Sequence, residues 1–295
     1  MSKNMEPKDL NSWEEFKDCL EKIQDETHQL NAHPNKAVTV TEPLYRGQCN
    51  HKWHLESTLE RKCRNISLYE YLTMLEGIKS KVEQISGISW PTFSNINNCQ
   101  LRSIYHFAID LPKDTLGYMY FLRQHGFPSP LLDWTSCPFI ASYFAFWNVD
   151  SDAERVAIYF FRKQTGSMTD MKCILKPTMD SLGANIDNTS PRHFKQQTQY
   201  TLCAKNTNIK KSRNILKNYI VANMEEDINS PGFYMSDNCI EDIPEAGNVV
   251  RKYTIPVTEK KKVLKELELK EINRESLFES TPDNILIDLW NKLEM

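Results

Sequence analysis

The sequence lacks a long apolar segment, a paired cysteine motif and a recognisable signal peptide. No apolar run approaches the roughly 20 residues that a helix needs to span a bilayer, and the N-terminal segment MSKNMEPKDLNSWEEF has no apolar core. The eight cysteines are widely spaced and form no CxxC pair, which favours reduced thiols over a disulfide framework or a zinc ribbon. We therefore expect a cytoplasmic protein that does not enter a membrane.

The common nucleotide, metal and nucleophile signatures are also absent. The sequence contains no GxGxxG, GxxxxGK[ST], HExxH or GxSxG, which argues against the usual dinucleotide fold, P-loop chemistry, zincin proteolysis and the hydrolase nucleophile elbow. His51 and His54 could share a helical face, but they have no third or fourth ligand beside them, so we predict no metal site. A net charge of -3 argues against a generally basic nucleic-acid-binding protein and leaves a local basic patch open.

The chain is long enough for a full core. Its 295 residues, 40% hydrophobic and 25% charged, suit one elaborated domain or two small ones. Apolar periodicity and capping boxes at Ser12 and Ser67 predict two long helices, and apolar runs predict strands near 44–48, 156–161 and 249–255. We predict an N-terminal helix in residues 1–36 and a domain over 37–295. That domain has a helical insert at about 67–113 and a variable insertion at about 204–248.

The segment from Leu122 to Trp147 has the highest density of polar side chains combined with residues that mark helix boundaries. Gly126 is placed as a left-handed C-cap, which puts Gln124 and His125 on the last helical turn, where the helix dipole favours a protonated histidine.

After two prolines, the segment Asp133 to Ser136 is expected to form an exposed turn before a buried helix that starts at Pro138. The free N–H groups of that helix suit an anion or a ribose-phosphate. Plain N-capping by Thr135 and Ser136 is the alternative.

Two more polar clusters border apolar segments. Arg46 carries a permanent charge and a planar fork suited to phosphate or carboxylate, and Gly47 allows a backbone or ligand to approach. A surface ion pair is the alternative. The amides of Gln196 and Gln197 could bond a sugar or a base edge, and Tyr200 could stack on one, although a solvated turn has a similar composition. All these clusters could converge on one cleft.

In this order the clusters resemble the FRG domain, named for its Phe-Arg-Gly motif. The matching residues are Tyr45-Arg46-Gly47, Gln124-His125-Gly126-Phe127-Pro128, Leu131-Leu132-Asp133-Trp134-Thr135, Pro138, Ala141, Phe144-Ala145, Arg192 with Gln196-Gln197, Tyr200, and Lys262-Val263-Leu264 through Leu277-Phe278. The resemblance covers roughly residues 40–280. The chain departs from the pattern at Ser129-Pro130, where Thr-Arg is usual, and at Thr198, where glycine is usual.

The motif order is also similar to that of arginine-class ADP-ribosyltransferases. That resemblance implies that Arg46 holds the pyrophosphate of NAD and that Thr135 or Ser136 supports the nicotinamide ribose. The late carboxylate of those enzymes, which stabilises an oxocarbenium-like transition state, is replaced by glutamines at 196–199. Asp133 or Glu56 would have to substitute for it, with His125 as acid or base.

Together these interpretations predict an α+β fold with small mixed or antiparallel sheets, surrounding helices and an ADP-ribosyltransferase-like core with helical insertions. The predicted function is NAD-dependent ADP-ribosyl transfer or NAD hydrolysis, with an acceptor protein or nucleic acid, as a toxin or defence effector in bacterial or phage conflict. The alternative is a non-catalytic nucleotide-sensing or protein-interaction module. The predicted catalytic residues are His125, Asp133 and Gln197. The predicted NAD-binding residues are Arg46, Gly47, Gln48, Gln124, Trp134, Thr135, Ser136, Arg192, Gln196 and Tyr200.

Overall fold

Eight strands join into one mixed sheet. The computed structural model describes residues 7–32, 40–90, 113–162, 172–175, 192–206, 217, 219–221 and 249–278. The strands are β1 (Lys8–Asp9), β2 (Leu44–Gln48), β3 (Leu131–Thr135), β4 (Arg155–Arg162), β5 (Lys172–Leu175), β6 (Thr198–Asn206), β7 (Tyr219–Val221) and β8 (Val249–Pro256). Their order is β1-β8-β4-β2-β3-β6-β5, and β7 also pairs with β6. Only β1 and β8 run parallel among these pairs.

Helices surround this sheet, and the predicted α+β class is confirmed. They are α1 (Trp13–Ala32), α2 (Leu68–Ser86), α3 (Lys113–Gln124), α4 (Pro138–Trp147), α5 (Arg192–Lys195), α6 (Lys260–Leu269) and α7 (Arg274–Leu277), with a 3-10 turn at Val257–Glu259. The described strands form a single sheet, so the expectation of several small sheets was wrong. Among the helices in the described ranges, none is both long and apolar enough to cross a membrane.

Local signals account well for α2 and for the strand β4. Ser67 and Glu70 form a reciprocal capping box at the start of α2, and Gly87 ends the helix with a φ of 71°. β4, predicted as a strand near 156–161, is apolar along most of its length and pairs with β2 and β8, so it lies inside the sheet. Residues 91–112 of the predicted helical insert and most of the predicted insertion at 204–248 lie outside the described residues. The domain boundaries therefore stay predictions.

Alternating side chains of β4 enter two apolar clusters on opposite faces of the sheet. Val156, Ile158 and Phe160 belong to the cluster that contains buried residues of α1, α4 and α6. Ala157 and Tyr159 belong to a smaller cluster that includes residues of β3 and β8. A third cluster joins α2 and α3 to β6. The sheet is thus covered by apolar residues on both faces, and polar side chains gather along the neighbouring strands β2, β3 and β6.

Gly47 sets the distance between α4 and the sheet. A Cβ at this position would lie 1.9 Å from the backbone oxygen of Ala141 and 2.6 Å from the backbone nitrogen of Ala145. Because a real Cβ cannot approach so closely, the helix packs directly on the backbone of β2 only when residue 47 is glycine. This close packing fixes the strand that carries Arg46.

Candidate functional site

A cavity of about 350 Å³ lies where the neighbouring strands β2, β3 and β6 meet α3 and α4. The strand register places Tyr45 opposite Thr135 and Thr135 opposite Thr198, so motifs far apart in sequence become neighbours. The polar residues of the lining are Arg46, Arg123, Gln124, Asp133, Thr135, Arg192, Gln196 and Thr198. Aromatic rings contribute through Tyr45, Trp134, Phe144, Tyr200 and Phe278, and Gly47, Cys49 and Ala141 complete the lining. The volume lies within the usual range of small-molecule sites.

Asp133 binds two arginines in this cavity. The Nη1 atom of Arg46 donates to the backbone oxygen of Asp133 at 2.7 Å and lies 3.6 Å from its Oδ2 atom. Arg123 donates from Nη2 to that same Oδ2 atom. The Asp133 side chain is 34% exposed, against 16% for Arg46 and 19% for Arg123. The carboxylate is therefore oriented by two guanidinium groups while it still reaches the cavity.

The lining carries an excess of positive charge. Three arginines, Arg46, Arg123 and Arg192, face the space that also contains Asp133, the one acidic residue of the described lining. Burial lowers the pKa of the Arg46 guanidinium, and the nearby Asp133 carboxylate opposes this effect. The cavity thus favours an anionic ligand over a cationic one.

The Asp133 segment is a strand rather than the exposed turn that we predicted. Residues Leu131–Thr135 form β3 and pair over their whole length with β6, with Asp133 opposite Tyr200. The indole of Trp134 is buried, and its Nε1 donates to Thr201 Oγ1 at 2.9 Å. The backbone hydrogen bonds of this segment are satisfied by β6, a partner that local sequence does not reveal.

Gly47 and Gln48, the two residues that follow Arg46, make contacts with other parts of the protein. Gly47 accommodates the backbone of α4, so the close approach predicted for it is made by protein. Gln48 is buried and donates from Nε2 to the backbone oxygen of His54 at 3.1 Å. Gln48 does not belong to the described lining of the cavity. Of these three residues, only Arg46 directs a charged group to the site.

The end of α3 contributes Gln124 but not His125. The helix ends at Gln124, and Gly126 has a φ of 86°, as the predicted left-handed cap requires. Gln124 lines the cavity, and its Oε1 atom is buried with no hydrogen-bond partner among the described residues. The ring of His125 packs against Phe121 with centroids 4.3 Å apart. His125 is not part of the described lining, so its catalytic role stays a prediction.

The expected ribose-binding turn holds α4 in place. Thr135 Oγ1 accepts from the backbone N–H of Cys137 at 3.1 Å, and Cys137 is the N-cap residue of α4. Ser136 donates from Oγ to Gln197 Oε1 at 2.9 Å. Gln197 has a φ of 47°, a left-handed turn between α5 and β6. Thr135 lines the cavity, whereas Ser136 and Gln197 are outside the described lining.

The late motif forms the opposite wall of the cavity. The Arg192 guanidinium lies 5.0 Å from the ring centroid of Phe278, and Gln196 donates from Nε2 to the backbone oxygen of Leu277 at 3.0 Å. These contacts connect α5 to the segment that follows α7. Phe144 of α4 meets Phe278 edge to face with centroids 5.8 Å apart, so this wall is partly aromatic.

Tyr200 connects the cavity to a buried aromatic cluster. Its hydroxyl lies 3.0 Å from Nδ1 of His193, and its ring stacks on Tyr120 with centroids 4.7 Å apart. Burial lowers the pKa of His193 to about 4, so the imidazole is neutral at pH 7. Burial also raises the pKa of Tyr200 well above its ordinary value, and the hydroxyl stays protonated. A hydrogen bond between two neutral groups, the Tyr200 hydroxyl and the His193 imidazole, therefore fixes the Tyr200 ring.

Our sequence analysis missed Arg123, Phe144 and Phe278 as residues of the cavity lining. Arg123 had a usable signal, since a charged residue interrupts the apolar residues of α3 immediately before Gln124. Phe278 had only its place in the FRG-like pattern, which does not show that it lines the cavity, because its position depends on how the segment after α6 packs. Within the described ranges, no group of three or more His, Cys, Asp or Glu side chains comes together as a metal site requires.

Comparison with known families gives one result that covers the centre of this site. The model of the FRG domain family matches residues 41–154. This part of the chain is an FRG domain. It contains Arg46, Arg123, Gln124 and Asp133, whereas the wall that carries Arg192 and Phe278 lies beyond the matched residues. No match was found among curated proteins or among solved structures.

Proposed function

We propose that the cavity of this FRG domain binds NAD and that the protein transfers ADP-ribose to an acceptor or hydrolyses NAD. The supporting observation is the adjacency of β2, β3 and β6, which brings Arg46, Thr135 and Gln196 to one cavity. Their chain order is that of the arginine, serine-threonine and late acidic motifs in the transferases that the sequence resembles. An ADP-ribosyltransferase-like core is therefore part of this proposal.

The residues present fit the diphosphate of NAD. Three guanidinium groups line the space, and the buried Nε of Arg46 has no hydrogen-bond partner among the described residues. Arginine forks bind phosphate oxygens through paired N–H donors. Gln124 and Thr135 add polar groups of the kind that bond ribose hydroxyls. When bound, NAD would supply the N-glycosidic bond between nicotinamide and ribose that the reaction breaks.

Asp133 would provide the negative charge for this reaction. Its carboxylate reaches the cavity and is oriented by Arg46 and Arg123. A fixed anion stabilises the positive charge that develops on the ribose as the nicotinamide bond breaks. Gln196 stands at the expected place of the late acidic motif but carries no charge. Glu56, the other candidate substitute, forms an ion pair with Arg64 at 3.6 Å and is not part of the described lining.

The attacking group would be water or a nucleophile of an acceptor protein or nucleic acid. Consumption of NAD, or modification of a cellular target, would suit a toxin or defence effector.

Release of nicotinamide from labelled NAD is the direct test. The wild-type protein should release nicotinamide, and Asp133→Asn should reduce the rate by roughly a hundredfold or more, the usual cost of losing one preorganised electrostatic group. Glu56→Gln is the matched control, since it removes a carboxylate outside the cavity and should retain the wild-type rate. Turnover by the wild type that does not exceed that of Arg46→Ala would refute the catalytic proposal.

A non-catalytic nucleotide sensor is the second candidate, and one observation favours it. The one acidic residue of the described lining is already paired with two arginines, and glutamines occupy the late motif. Such a module would be stabilised by NAD or ADP-ribose in proportion to RT ln(1 + [L]/Kd), and the ligand would remain intact. A sensor of this kind could pass the bound state to a protein partner. Thermal stabilisation without nicotinamide release would decide for this candidate.

A further inference from the structure

Arg46 and Arg123 are held in different ways although they share Asp133. The Nη1 of Arg46 bonds the backbone oxygen of Asp133 as well as approaching its carboxylate, so the fold of β3 anchors it. The polar contacts of Arg123 within the described residues are confined to the Asp133 carboxylate. Arg123 can therefore exchange this partner without breaking a backbone hydrogen bond, whereas Arg46 cannot.

The surroundings of Arg123 are short of negative charge. The Nε atoms of both arginines and the Oε1 atom of the neighbouring Gln124 are buried without hydrogen-bond partners in the part of the chain that the structure describes. Buried polar atoms without partners are uncommon in native proteins and need an explanation, which in a cavity can be a bound ion or ligand. Arg46 and Arg123 share the single Asp133 carboxylate, whose one negative charge does not neutralise both guanidinium groups. Asp133 thus stands where a more highly charged anion would be better accommodated.

We propose that Arg46 and Arg123 form a diphosphate subsite and that Asp133 acts as an internal anion in it until the ligand arrives. The diphosphate takes over Arg123, while Arg46 stays anchored to the backbone of β3. The Asp133 carboxylate loses one of its two cationic partners and becomes available to the ligand's sugar. Binding of the diphosphate thereby frees the carboxylate that the proposed reaction needs. The catalytic consequence rests on the proposed function, but the subsite itself does not.

Calorimetric titration with inorganic pyrophosphate tests the subsite without requiring turnover. Asp133→Asn should bind pyrophosphate at least roughly tenfold more tightly than the wild type, because no carboxylate competes for the arginines. Arg123→Gln should bind it at least roughly tenfold more weakly, and Arg123→Lys should fall between the wild type and Arg123→Gln. Arg64→Gln is the control, since the Arg64 side chain is 79% exposed and outside the described lining. It should match the wild type.

Asp133→Asn leaves the arginines without a counter-charge and is expected to melt at a lower temperature. Pyrophosphate should stabilise the Asn variant more than the wild type, which melting curves with and without this ion would show. If the variant does not fold, the Arg123→Gln titration decides alone, because this variant keeps the Arg46–Asp133 pair. Weaker pyrophosphate binding by folded Asp133→Asn, or unchanged binding by Arg123→Gln, would overturn the proposal.

The nicotinamide assay separates this inference from the proposed function. If the variants bind pyrophosphate as expected but the protein does not turn over NAD, the diphosphate subsite stands and the catalytic proposal is refuted. If the protein turns over NAD but the variants do not bind pyrophosphate as expected, the catalytic proposal stands and the subsite is refuted. Adenosine, which has no phosphate, should bind the wild type and Arg123→Gln equally. A loss of adenosine binding that equals the pyrophosphate loss would show a general structural defect and overturn the assignment of Arg123.

Discussion

Gly47 lies against Ala141 so closely that a Cβ would come within 1.9 Å of the Ala141 carbonyl oxygen. The contact joins β2 to the first turns of α4, and both elements line the cavity. The glycine of the Arg-Gly motif is therefore explained by helix packing, while the arginine is explained by the site.

Gly47→Ala should destabilise the protein by about 3 kcal/mol or more, because either the helix or the strand must move to admit the methyl group. Gly77→Ala is the matched control, since Gly77 lies in α2 and a methyl group added there would have no neighbouring atom within 4 Å. It should stabilise by roughly 0.5–1 kcal/mol through helix propensity. Urea unfolding of both variants provides the measurement. Equal stabilities would contradict the packing explanation.

His193 predicts a loss of stability in mild acid. Burial lowers its pKa to about 4 in the folded protein, against about 6.5 in the unfolded chain. The unfolded state therefore binds the proton first, and the free energy of unfolding falls as the pH drops from about 6.5 to about 4. The expected contribution to this fall is roughly 3 kcal/mol.

His193→Gln should flatten this pH dependence, and the amide can still bond the hydroxyl of Tyr200. The control is His28→Gln, because His28 is exposed on α1. Unfolding titrations at several pH values would measure the effect. A wild-type slope that survives in His193→Gln would assign the acid sensitivity to another group.

Trp134→Phe separates a packing role from a ligand-binding role for this indole. The change removes the hydrogen bond from Nε1 to Thr201 Oγ1 and should cost about 1–2 kcal/mol of stability. The expected affinity for NAD is nearly unchanged, because Trp134 borders the cavity but is only 2% exposed and packs in the core. Combining it with Thr201→Val should add little further cost, as a double-mutant cycle would show. A large loss of NAD affinity in the folded variant would support the ligand-binding role predicted for Trp134.

Phe278→Ala tests the aromatic wall. Its loss removes the ring that Phe144 and Arg192 contact, and the truncation should destabilise the protein by roughly 2–3 kcal/mol, near the lower end of core phenylalanine deletions. We expect NAD to bind roughly threefold to tenfold more weakly, since Arg192 loses the support of a cation–π contact. Leu269→Ala is the control because this leucine is 80% exposed. Unchanged NAD affinity measured by calorimetry would show that the wall does not contact the ligand.

The sequence was informative where structure depends on neighbouring residues. The capping box at Ser67, the left-handed Gly126 and the apolar run of β4 are all local signals, and the structure agrees with them. The strand containing Asp133 was not predicted, because its pairing partner around Tyr200 is far along the chain. Arg123 was overlooked for a related reason. The sequence shows that Arg123 stands near the end of a helix but does not show that it meets the Asp133 carboxylate.

The closure of the cavity is divided between two parts of the chain. The FRG match ends at residue 154, and the arginines on either side of Asp133 lie within it. Arg192, Gln196, Thr198, Tyr200 and Phe278, which complete the chamber, come later. Substitutions in this later part can therefore change the shape of the cavity and the ligand that it accepts, while Arg46, Arg123 and Asp133 stay unchanged. A chain cut after the FRG match would keep Arg46, Arg123 and Asp133 and would lose Arg192 together with the rest of the later wall.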